Sequence, residues 1–139
     1  MNIALSTTLT DTDFDTAVDA VKAALSDQGF GVLTEIDMQA TLKAKLGEDM
    51  EQYLILGACN PTLAHRALGV MRQIGLLLPC NVVVRADTAT SGSIIVDAMN
   101  PDIMVQATGE PALSDVAAEA TTKLEAAIDA LGGQDTAHS

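Results

Sequence analysis

The chain has 139 residues, 48% of them hydrophobic, enough for one domain with its own core and too few for two. Nineteen acidic residues against seven basic ones give a formal charge of −12, and only three side chains are aromatic. That balance repels phosphate backbones and anionic lipid and leaves few stacking platforms for bases, so nucleic acid and membrane surfaces are excluded as expected partners.

No basic segment leads into a long apolar core at the start, and no apolar run approaches the ~20 residues a bilayer crossing needs, so a cytoplasmic protein is expected. Two cysteines do not make a secreted disulfide framework; in a reducing cytosol they are expected as free thiols or metal ligands.

In chain order, Asn2 to Leu9 alternates as a short strand. Thr10-Asp11-Thr12-Asp13 offers helix-capping oxygens, and Phe14, Ala17, Val18, Val21 and Leu25 follow at helical spacing until Gly29. Phe30 to Ile36 alternates again as a strand, with Glu35 expected on the side opposite Phe30 and Val32. Asp37 caps a short helix ending at Gly47. Tyr53 to Ala58 is nearly all apolar and reads as a central strand covered on both faces, ending at Cys59.

Asn60-Pro61 opens the next helix, because asparagine accepts free backbone N–H groups and proline loses nothing at the first helical position. Residues 73–79 read as a buried connection, and residues 80–85 and 93–98 as two strands of an antiparallel hairpin joined by a turn-rich loop. Met99, Ile103 and Met104 are expected to fold back over the sheet edge. A long amphipathic helix runs from Leu113 to Leu131 and should stop at Gly132-Gly133. The expected domain is residues 1–131, with residues 132–139, including His138, as a disordered tail.

The fold class expected from this order is α+β: a mostly antiparallel sheet with the first and last helices packed on one face. The hairpin and the absence of a Gly-rich phosphate turn argue against a doubly wound parallel fold.

Both cysteines end or begin apolar runs and precede asparagine, as Cys59-Asn60 and Cys80-Asn81. Cys59 stands just before a helix N-terminus, where unsatisfied N–H groups favour a thiolate. Cys59, Cys80 and His65 supply soft ligands that zinc, copper or a haem iron accepts, although no closely spaced ligand pairs point to a closed structural zinc site. A nucleophilic Cys59 with His65 as base is a further reading, without a local protease signature. Against all of these stands the plain one, in which the thiols fill the core and the asparagines cap or enter their elements.

The segments Gly29 to Met38, Tyr53 to Pro61 with Leu63 to Leu68, and Ile74 to Val84 resemble the bacterial and archaeal family known as domain of unknown function 302. The resemblance spans about residues 3–131 and is specific at the two cysteine motifs. It implies a β-α-β4-α backbone of the TATA-binding-protein-like class, with short inserted helices, and a homodimer. It implies no substrate, reaction or cofactor. The sequence thus leads to a cytosolic domain with a cleft beside Cys59, Asn60, His65, Cys80 and Asn81, and Glu35 as a further carboxylate, binding a small ligand, a soft metal or haem, with a thiol redox role. Its alternative is a non-catalytic structural or partner-binding homodimer with the cysteines in the core.

Overall fold

The computed structural model describes residues 2–136, with side chains through Gly132. Five strands, β1 (Ala4–Thr10), β2 (Gly31–Asp37), β3 (Tyr53–Cys59), β4 (Cys80–Ala86) and β5 (Ser93–Met99), form one sheet in the order β1-β5-β4-β3-β2. All four pairings are antiparallel. The helices are α1 (Phe14–Asp27), α2 (Met38–Leu46), α3 (Pro61–Val70), α4 (Asp102–Thr108) and α5 (Ser114–Thr136). This is the α+β class with the β-α-β4-α backbone, the short α2, α3 and α4 being insertions.

The caps are local chemistry and stand where the sequence puts them. Asp13 accepts the Thr16 N–H at 2.7 Å, and Asp37 accepts the Ala40 N–H at 2.9 Å. Its bond to Thr16 holds the Asp13 carboxyl below the usual carboxylate range. Gly29, at φ +84°, lets the chain turn out of α1 so that the Phe30 N–H reaches the Leu25 carbonyl.

One face of the sheet carries the main core. Leu56 and Ala58 of β3, Val82 and Val84 of β4, and Val96 of β5 meet Val21 and Leu25 of α1 and Leu124 and Ile128 of α5. A second cluster lies beyond the strand ends, where Leu63 and Ala67 of α3 meet Ile74, Met104 of α4, and Val116 and Ala120 of α5. Helix α5 belongs to both.

Four expectations need correction. The central strand is β4, not β3, whose Tyr53, Leu54 and Ile55 remain half-buried. The 73–79 connection is a 3-10 helix, Arg72–Leu77, that buries Ile74 but leaves Leu76 exposed. The 99–104 segment makes the short helix α4, which packs on α5. Gly132-Gly133 does not stop α5, which continues to Thr136. Each glycine costs a helix up to about 1 kcal/mol, but extending a helix already nucleated is far easier than starting one.

Candidate functional site

Residue Ala58 of β3 pairs directly with Cys80 of β4, which brings Cys59, one residue further on, to the same end of the sheet. Asn60 then caps α3: its side-chain oxygen accepts the Leu63 N–H at 3.2 Å, while its amide nitrogen donates to the Gln28 carbonyl at 3.4 Å. One side chain therefore joins the end of α1 to the start of α3. Replacing Asn60 by alanine is expected to lower stability by about 1–2 kcal/mol in urea denaturation, and Asn60→Asp, which keeps the accepting oxygen, by less.

Close approach of β2, β3 and the 79–80 turn shapes the same corner. A Cβ built on Gly57 would lie 2.2 Å from Thr34 Oγ1 and 2.9 Å from Pro79 Cγ, so only glycine fits without a shift.

Cys59 and Cys80 both line a small cavity between the sheet end and helices α3, α4 and α5. Its other walls include Phe30, Leu63, Pro79 and Met104. The cavity volume is about 20 Å³, room for one water-sized body. Small-molecule sites run to roughly 300–1,000 Å³, so neither haem nor an organic ligand finds room here. Cys80 is 7% exposed and Cys59 half-buried, and both are free thiols. Burial, and secondarily the neighbouring Cys59, push the Cys80 thiol up to about 11.

The remaining candidates lie elsewhere. His65 is exposed on α3, about 200° round the helix from the buried Leu63, and is not on the cavity wall. Asn81 is exposed on β4 and borders a groove on the sheet's other face. Glu35 corrects a face assignment: the register of β2 shifts between Val32 and Thr34, so Val32 pairs with Ala58 and Glu35 with Leu56, both on the helix-covered side. There Glu35 forms an ion pair with Lys22 of α1 at 2.6 Å. Both partners are substantially solvated, which makes the pair a weak tether.

Among the described residues, no three His, Cys, Asp or Glu side chains gather to hold a metal ion. The sequence reading missed Met104, which joins the two cysteines on the cavity wall. Its only sequence signal is the Asn100-Pro101 turn that reverses the chain after β5. Among the described residues, no helix is long and apolar enough to cross a membrane.

The family model described as "Domain of unknown function DUF302" matches residues 5–131. The chain belongs to the DUF302 family. A solved relative, the crystal structure of an uncharacterized conserved DUF302 protein from Bacillus stearothermophilus, is 29% identical. The match covers 91% of this chain and 97% of that one, with a TM-score of 0.80. No curated protein matches. Membership in DUF302 therefore accounts for the fold and assigns no reaction.

Proposed function

We propose that this DUF302 protein binds a single soft cation of the Cu(I) class between Cys59 and Cys80, in the cytoplasm, where both thiols stay reduced. The observation that carries this reading is the convergence of Cys59, Cys80 and Met104 on one cavity of single-ion size whose other walls are apolar apart from Asn60. Thiolate and thioether sulfur select Cu(I) over the harder divalent ions. Two sulfur–metal bonds form as two S–H bonds break, and the protons go to solvent without oxidation of metal or sulfur. Because Cys80 holds its proton unusually tightly, affinity rises with pH through the alkaline range.

Anaerobic titration with Cu(I) against a competing chelator tests this. One ion per chain is expected, with a near-ultraviolet thiolate-to-metal absorption; binding disappears in Cys59→Ala and in Cys80→Ala and weakens in Met104→Leu. Wild-type protein that takes up no Cu(I), or a double cysteine variant that binds as well as wild type, overturns the proposal.

The burial of Cys80 on a cavity wall made mainly of apolar residues favours a second reading, in which DUF302 here is a structural or partner-binding module and the sulfurs only fill space. On that reading the two Cys→Ala changes cost about 1–2 kcal/mol of stability each and alter no binding.

A further inference from the structure

Among the described residues on its wall, the thiol cavity has no carboxylate, imidazole or hydroxyl, and Asn60 is its one polar side chain besides the two cysteines. That side chain is fixed at both ends. Its Oδ1 accepts the Leu63 N–H at 3.2 Å, and its Nδ2 donates to the Gln28 carbonyl at 3.4 Å. The reverse orientation would set N–H against N–H and oxygen against oxygen, so these partners dictate which way the amide points. Gly29 packs against the same nitrogen: a Cβ there would stand 3.0 Å from Nδ2. The amide therefore has little freedom to turn, and its oxygen is committed to the first turn of α3.

The consequence is a cavity whose available donors are all sulfur. An ion held between Cys59 and Cys80 has Met104 as a third sulfur ligand and, in a volume of about 20 Å³, no room for a water of its own. Zn(II) also accepts thiolate, so the kind of donor does not exclude it. The number does: Cu(I) is satisfied by two or three soft donors, whereas Zn(II) almost always takes four.

What position 60 offers then decides which ion is held. An aspartate there keeps one oxygen for the Leu63 N–H, and the start of the helix favours its charge. The second oxygen takes the place of Nδ2 and meets the Gln28 carbonyl oxygen, two acceptors with no proton between them. Released from that partner, it becomes a fourth donor, hard and anionic, on the wall of the cavity.

We infer that Asn60 is the specificity-determining residue of this cavity: by holding a neutral amide whose oxygen is already bonded, it denies the ion a fourth donor, restricts the site to soft cations of low coordination number and shuts out Zn(II). The inference rests on the Cu(I) reading of the same cavity and adds what selects the ion.

Anaerobic titrations of the full chain with Cu(I) and with Zn(II), each against a competing chelator, read the preference in wild type, Asn60→Asp and Asn60→Ala. Wild type is expected to take Cu(I) and no stoichiometric Zn(II). Asn60→Asp is expected to gain Zn(II) affinity by roughly tenfold or more, since outer partners of a metal site alone are worth that much. Co(II) in place of Zn(II) should then show the visible d–d absorption of a four-coordinate site. Asn60→Ala loses the cap but supplies no donor, so its preference stays that of wild type although its urea midpoint falls. That contrast separates selection of the ion from the structural part Asn60 plays at α3. No Cu(I) uptake by wild type overturns the underlying reading and this inference with it. Cu(I) uptake accompanied by stoichiometric Zn(II) binding in wild type overturns the inference alone and needs no variant. A folded Asn60→Asp with unchanged Zn(II) affinity, or an equal Zn(II) gain in Asn60→Ala, does the same.

Discussion

Leu124→Ala is expected to cost about 3–5 kcal/mol of folding free energy, a large share of the roughly 5–15 kcal/mol that holds a domain together. Leu124 has no solvent exposure and sits where α5 crosses the sheet beside α1, in a core with few aromatic side chains to spread into a void. The lost methyl and methylene contacts and the cavity left behind add, because α1, α5 and the strands are each held by other contacts and collapse only in part. Urea denaturation should show the midpoint falling with little change in slope. Leu76→Ala is the control: at 85% exposure it should stay within about 0.5 kcal/mol of wild type. A loss at Leu124 no larger than that at Leu76 would mean that α5 does not hold the core in the way described. The same helix carries Val116 and Ala120 into the second cluster, so loosening it should also relax the wall of the thiol cavity.

What could be read from the chain alone divides along the range of the interactions involved. Asp13, Asp37 and Asn60 cap their helices through bonds that span three residues, and the sequence therefore states them outright. The five strands were legible from apolar patterning, and the antiparallel class from the hairpin between β4 and β5. Strand order was not, because the placement of β4 at the centre depends on β1 returning to pair with β5, residues some ninety positions away in sequence. The bulge in β2 was likewise invisible. Period-two alternation put Glu35 opposite Val32, and one extra residue, set by the partner strand, returned it to the same side. At the site, the joint approach of Cys59 and Cys80 depends on the Ala58–Cys80 register, and Met104 arrives from a segment that shares no pattern with either. His65 was proposed from nearness in sequence, yet helical geometry turns it outward while Leu63 and Ala67 face the cluster.

Alkaline pH should destabilise this protein through Cys80 specifically. In the folded chain, burial first and the neighbouring Cys59 second raise that thiol from 9.0 to about 11. Below pH 9 the thiol is protonated in both folded and unfolded chains, and the stability it contributes is fully present. As pH rises from 9 towards 11 the unfolded chain releases the proton while the folded one keeps it, so stability falls by about 1.4 kcal/mol per pH unit, roughly 2–3 kcal/mol across the window. Tyrosine and lysine titrate in the same range, so the measurement is the difference between wild type and Cys80→Ala in urea denaturation at each pH. The variant should start about 1 kcal/mol lower at neutral pH, because it lacks the sulfur's packing, and converge on or cross the wild-type curve by pH 11. Parallel curves across that window would show that Cys80 does not sit in the dry environment described. Loading with Cu(I) adds a second discriminating arm: an ion held by the Cys80 thiolate has already displaced the proton, so the loaded protein should lose the alkaline slope that the free protein shows, whereas sulfurs that merely fill space leave the slope unchanged by the metal.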